Sequence, residues 1–231
     1  MSLGSILRKS MHELRERPVY FIPRLISTSI SSVWFLYMIQ KPDIQTYLLT
    51  APLIILMGLF VPVMVAYMVE NDAGLAEGFQ ATLKRTDKIL GSTLAFFLAG
   101  AVTAVPTVAG LLVYQISGSY TALALGLLLS IAAVLVTGFA SYFLPITLIR
   151  NGVIDGFRES ASFSSENRKE VTALIVFSFL LFGVSAASSG VMQALGTIGF
   201  ILGRLTSAVV ATYLIVVSPK YYLEKEKEDR D

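Results

Sequence analysis

The chain has 231 residues, 55% of them hydrophobic and 15% charged, with a formal net charge of +2. A mean hydropathy of +0.70 is too apolar for an ordinary water-soluble domain. The small net charge gives no footing for nucleic acid, and the absence of cysteine with a single histidine excludes thiol chemistry and leaves little for a zinc or haem site.

The apolar residues gather into runs of about 20 or more, the length that spans a hydrocarbon core of roughly 30 Å. Six runs qualify, at 19–39, 47–68, 89–113, 121–148, 171–188 and 196–217, and none contains Asp or Glu. They are continuously apolar, so they predict helices rather than the alternating strands of a barrel. The fold class expected is all-α, a six-span transmembrane bundle forming one domain over 1–220, with a charged tail over 221–231.

Ahead of the first run, Leu3, Ile6, Leu7, Met11 and Leu14 fall on one helical face, with Arg8, Lys9, His12 and Glu16 around the rest. A helix lying in the membrane interface is predicted, with His12 as a solvated surface side chain. The first run is itself long enough to span, so no cleaved signal peptide is expected. Arg24 lies near its start, where its side chain is expected to snorkel back to the headgroups as an anchor. Ser27, Thr28, Ser29, Ser31 and Ser32 follow in a cluster. Lys41-Pro42-Asp43 then reads as a tight turn.

The second run holds Pro52 and Pro62, and the third holds Pro106; each removes a backbone donor and is expected to kink its helix. Between these runs Leu75, Phe79 and Leu83 oppose Glu77, Lys84 and Lys88, a second interfacial helix. Ser117-Gly118-Ser119 marks the next tight turn. The third and fourth runs exceed the minimum length, so tilt or an interfacial end is expected. A third interfacial helix sets Val153, Ile154, Phe157 and Ala161 against Asp155, Glu159, Ser162 and Glu166. The fifth run and its end carry Ser178, Ser185, Ser188 and Ser189, with Gly183 and Gly190 expected to let helices approach. The sixth carries Gly199, Gly203 and Arg204. Beyond it, 224–231 alternates in charge and reads as a solvated, frayed end.

Orientation follows from the connections. Arg8, Lys9, Arg15, Arg17, Lys84, Arg85, Lys88, Arg150, Arg158, Arg168, Lys169, Lys220, Lys225, Lys227 and Arg230 all fall on one side, and only Lys41 on the other. That asymmetry places both termini in the cytoplasm of a multi-pass cell-membrane protein. Each basic residue near an anionic leaflet contributes about 1 kcal/mol, so anionic headgroups are the expected contact of the inner face.

A short repeat divides the chain further. Gly74-Leu75-Ala76-Glu77-Gly78-Phe79 matches Gly152-Val153-Ile154-Asp155-Gly156-Phe157 by residue type, with Phe60-Val61-Pro62 and Phe143-Leu144-Pro145 upstream. The suggested unit is one interfacial helix followed by one hairpin, used three times. Those segments, together with Arg17-Pro18-Val19-Tyr20-Phe21-Ile22-Pro23, resemble uncharacterised prokaryotic (archaeal and bacterial) six-helix membrane families similar to the membrane domain attached to some glycerophosphodiester phosphodiesterases. The resemblance covers nearly the whole chain and implies a fold and a cellular membrane. It carries over no catalytic residue, since the phosphodiesterase domain is missing.

Arg204 is the charge least able to reach water. Counted from Gly196, it lies about 12 Å below the end of its span, near the bilayer middle, where an Arg costs about 2.5–3.5 kcal/mol. It is expected to face the bundle interior and to bond at least two oxygens, Ser or Thr of the first or fifth span among them. The candidate intramembrane polar site is therefore Arg204 with Ser27, Ser29, Ser31, Ser185 and Ser188. The hydroxyls read either as packing contacts or as a polar wall, and the arginine either as a lock or as an anion or headgroup site. No catalytic, metal or cofactor residue is expected. The function expected is non-enzymatic, a membrane-organising factor or partner subunit of a transport or envelope system, with a membrane-protein partner or a second copy of the chain. The alternative is a small-solute transporter or channel, which the prolines and hydroxyls would suit. An intramembrane lipid enzyme lacks an acid, base or metal site.

Overall fold

The computed structural model describes residues 3–40, 43–228 and 230, with 47–49 and 51–56 as backbone alone. The Lys41-Pro42 turn, the side chain of Pro52 and the tail's Asp229 and Asp231 lie outside the described residues. In chain order the helices are α1 (Leu3–Glu16), α2 (Phe21–Gln40), α3 (Ile44–Asn71), α4 (Leu75–Leu83), α5 (Thr86–Ser117), α6 (Tyr120–Ala140), α7 (Leu144–Arg150), α8 (Val153–Glu166), α9 (Arg168–Gln193) and α10 (Gly196–Glu228). No strand occurs among the described residues.

Five helical stretches, Pro18–Gln40, Thr86–Ser117, Tyr120–Ala140, Arg168–Gln193 and Gly196–Glu228, are long and apolar enough to cross a membrane. The chain is thus an all-helical, membrane-embedded protein. α3 is 28 residues long, but its described apolar stretch, Met57–Asn71, is shorter than a span. The turns after α5 and α9 lie toward one end of the bundle, and α1, α4, α7 and α8 toward the other. Asp43 caps α3 through the Thr46 amide at 2.6 Å. Ser119 caps α6 through the Ala122 amide at 3.4 Å, after Gly118 ends α5 in the left-handed region at φ 68°.

The fourth run is not one helix. It breaks at Ser141, and the remainder forms the short α7 with Pro145 in its first turn. Proline has no N–H to continue α6 and disfavours helical backbone in the residue before it, whereas the first turn of a new helix accommodates both effects. α7 is then buried through Leu144, Ile146, Thr147 and Leu148, inside the protein rather than in lipid. Thr147 donates to the Gly156 carbonyl at 2.8 Å, and the Phe143 amide donates to the Ser160 hydroxyl at 3.1 Å.

The packed core lies at this amphipathic end. Phe143 meets Phe163 edge-on at 4.8 Å, Phe163 meets Tyr222 at 4.5 Å, and Tyr20, Met68, Ile89 and Leu174 are fully enclosed nearby. Burying a large apolar side chain contributes about 1.5–3 kcal/mol where the alternative is water. That driving force exists at this end and is missing among lipid tails. Accordingly α5 and α6 leave most of their apolar surface outward, with Val102 70% and Leu128 63% exposed. They come closest to backbone contact around Gly110 and Gly126. A Cβ on Gly126 would lie 2.4 Å from the Pro106 carbonyl oxygen. Below that proline the Thr107 amide turns aside to the Ser130 hydroxyl at 3.1 Å.

Two expectations change here. Ile6 and Leu14 of α1 are buried against the bundle, and Tyr213 of α10 donates to the Leu7 carbonyl at 3.1 Å, so this face packs on protein instead of lipid. The segment expected to fray continues α10 to Glu228. Lys9 pairs with Glu224 at 2.8 Å, and Arg150 bridges Glu70 at 2.6 Å and Glu226 at 3.0 Å. Charges spaced for one helical face find partners on α1 and α7, which ordered structure alone makes available.

α4 and α8 both begin on an extended glycine, Gly74 and Gly152, and both bury the glycine one turn on. A Cβ on Gly78 would press on Met68, and one on Gly156 would press on Leu148.

Candidate functional site

Along α2, residues 24, 27, 28, 31, 35 and 38 recur at helical spacing and form one stripe. This stripe lines a cavity of about 660 Å³ whose other walls come from α3, α9 and α10. Arg204 enters it from α10. Its Nη2 donates to the Ser31 hydroxyl at 2.7 Å and its Nε to the Ser32 hydroxyl at 3.3 Å. Ser31 and Ser32 in turn donate to the Thr28 carbonyl at 3.0 and 2.7 Å. Each hydroxyl is thereby polarised toward the guanidinium, which strengthens the chain in a low-dielectric setting.

Arg24 also lines the cavity, where the sequence predicts an anchor in the headgroups. It is half-buried one turn into α2, and its Nε is buried without a hydrogen-bond partner among the described residues. Arg204 lines the same space. Among the described residues no carboxylate lines the space, and the six apolar runs contain none. Two guanidinium groups thus share an intramembrane cavity without an opposing charge, an arrangement costly unless an anion completes it.

The remaining sequence candidates separate. Ser27 is buried and lines the cavity. Ser29 is exposed on another face of α2. Ser185 belongs to the α9–α10 contact, donating to the Ser207 hydroxyl at 2.9 Å. Ser188 donates to the Val184 carbonyl of its own helix at 2.9 Å. Ser189 reaches the Gly203 carbonyl at 3.0 Å. A Cβ on Gly199 would overlap the Met192 carbonyl and one on Gly203 would touch Ser189, so these two glycines admit the neighbouring helix. Gly183 and Gly190 face open space and do not serve the close approach expected of them.

Toward the turn end, Trp34 donates to Thr50 at 2.5 Å, Thr50 donates to the Thr46 carbonyl at 2.6 Å, and Gln193 adds an amide to the lining. Sequence reasoning missed Trp34, Thr50 and Gln193, and set Arg24 aside. The signal for Arg24 was its place three, four and seven residues before Ser27, Thr28 and Ser31.

What this site can do is bind. A guanidinium offers a planar fork matched to carboxylate or phosphate oxygens, and the hydroxyls supply further donors. Comparison of the chain with protein-family models, with curated proteins and with solved structures finds no match.

Proposed function

We propose that the chain is a non-enzymatic, six-span protein of the cell membrane, both ends cytoplasmic, that holds an anion in the cavity between α2, α3, α9 and α10. The observation that carries this reading is Arg24, which lines this cavity together with Arg204 and whose Nε is buried with no hydrogen-bond partner among the described residues. The backbone of α3 supports the sixth span, and the one-sided distribution of Lys and Arg supports the orientation. The shared glycine-capped geometry of α4 and α8 supports a repeated unit of interfacial helix plus hairpin. The same layout is the ground for relating the chain to the six-helix membrane families it resembles. Holding an anion without turnover suits a membrane-organising factor or a subunit of a transport or envelope system.

The second reading, a carrier of a small anion, is favoured by the cavity's extent. Its lining on α2 runs from Arg24 to Met38, about 21 Å at 1.5 Å per residue.

Thermal unfolding of the purified protein in detergent, with and without inorganic phosphate, tests the anion. Phosphate should raise the Tm of the native chain and leave Arg24→Gln and Arg204→Gln unchanged. Equal melting of all three with and without phosphate would remove the anion from the reading. Phosphate uptake into proteoliposomes would favour the carrier.

A further inference from the structure

We propose that the anion is the phosphate of a membrane lipid and that one acyl chain of this lipid lies in the groove between α2, α3 and α4. The inference rests on the anion reading above and names its ligand. A second cavity, of about 540 Å³, adjoins the arginine cavity and is lined by Pro23, Ile26, Phe60, Val61, Leu75 and Phe79, with Ser27 and Met57 common to both spaces. On α2 the two linings occupy adjoining faces. Residues 23, 26 and 27 face the groove, residues 24, 27, 28 and 31 face the arginine cavity, and Ser27 stands on the boundary.

The chemistry changes abruptly across that boundary. One side presents two guanidinium groups and several hydroxyls; the other is almost wholly apolar. A free inorganic anion would use only the first side. An amphiphile uses both, its phosphate on the arginines and its chain along Phe60 and Phe79, whose rings meet at 5.8 Å. Both volumes fall within the roughly 300–1,000 Å³ typical of sites for organic ligands.

The height of the groove is also right for a lipid. It is walled by the first turns of α2 and by α4, the amphipathic helix at the core end of the bundle, with Ile26 and Phe79 about half exposed. A chain in the adjacent leaflet can therefore reach the groove sideways, without crossing the packed core. Phe79 then forms part of an acyl wall, and the second chain of the lipid stays in the bilayer.

The test is binding to the purified full-length protein in detergent, using inorganic phosphate, glycerol phosphate, and dihexanoyl and dioctanoyl phosphatidylglycerol, with phosphatidylcholines of the same chain lengths as controls for micelle partition. Two further methylenes of one chain in the groove should tighten phosphatidylglycerol binding about tenfold, and the phosphatidylcholines should bind much more weakly. Arg24→Gln and Arg204→Gln should abolish the preference for the anionic lipid. Ala76→Trp fills the groove from an exposed helical position and should flatten the dependence on chain length; Phe79→Ala, which shortens the wall, should reduce it. Glycerol phosphate binding as tightly as dioctanoyl phosphatidylglycerol, with no effect of Ala76→Trp, would overturn the lipid and leave the anion site standing. Binding of none of the phosphates, with the arginine variants unchanged, would overturn both.

Discussion

The guanidinium of Arg204 donates to the Ser31 hydroxyl across 2.7 Å, joining α10 to α2 over 173 residues of sequence. A second donation reaches Ser32, yet Arg24, which lines the same cavity, meets no counter-charge among the described residues. The polar centre of the bundle is therefore satisfied on its hydroxyl side and open on its cationic side.

That imbalance sets the expected result of Arg204→Leu. The variant loses two hydrogen bonds from a charged group, about 1.5–3 kcal/mol each, but is relieved of an insertion cost of about 2.5–3.5 kcal/mol and of repulsion by Arg24. The terms largely offset, so insertion and thermal stability should change little while the response to phosphate disappears. A fall in Tm of ten degrees or more without phosphate would make Arg204 a structural lock.

Topology reporters fused after residue 43, after residue 118 and at the C-terminus should report outside, outside and inside. An outside C-terminus would mean an odd number of crossings and would withdraw α3 from the spans.

The glycines predict opposite effects at superficially similar positions. Gly126→Ala drives a Cβ to 2.4 Å from the Pro106 carbonyl oxygen, and because backbone cannot step aside cheaply the cost should be about 1–3 kcal/mol or more. Gly183→Ala meets nothing within 4 Å and gains helix propensity, so it should be neutral or slightly stabilising. Melting curves of the two variants check both; equal destabilisation would show that α5 and α6 do not cross as described.

Acid should loosen α1. Lys9 holds the Glu224 carboxyl below the usual carboxylate range, against the opposing effect of partial burial. A carboxylate depressed in the folded state contributes stability above its unfolded value near 4.3, and that contribution is lost as pH falls through the lower folded value. Ion pairs this exposed contribute about 0–1 kcal/mol, so the effect should be confined to α1. A spin label on the exposed Arg8 should gain mobility below about pH 4, and Lys9→Ala should produce the same gain at neutral pH. Unchanged mobility in both would mean that the Lys9–Glu224 pair does not hold α1, leaving its other contacts, Tyr213 on the Leu7 carbonyl and the burial of Ile6 and Leu14 among them, to do so.

Hydrophobic run length, helix periodicity and turn chemistry are properties of neighbouring residues. The sequence by itself therefore determined that this is a helical membrane protein, that Gly118 and Ser119 join two antiparallel helices, and that the segments at 3–16, 75–83 and 153–166 are amphipathic helices. It also determined that Arg204 needs oxygen partners, because no carboxylate exists in any span. Which oxygens they are was a tertiary decision. Ser29, Ser31 and Ser185 are equivalent in composition, and only the rotation of α2 and the close approach of α9 and α10 turn Ser31 to the arginine, Ser185 to Ser207 and Ser29 outward. The break before Pro145 was undecided locally, since prolines within α5 and α10 leave those helices continuous. The buried seat that α3 and α8 offer to α7 made the difference. Arg24 was legible as a charge near a span's end. That it lines one cavity with Arg204 follows from the packing of α3, α9 and α10 against α2, and such a shared space depends on residues brought together from across the chain.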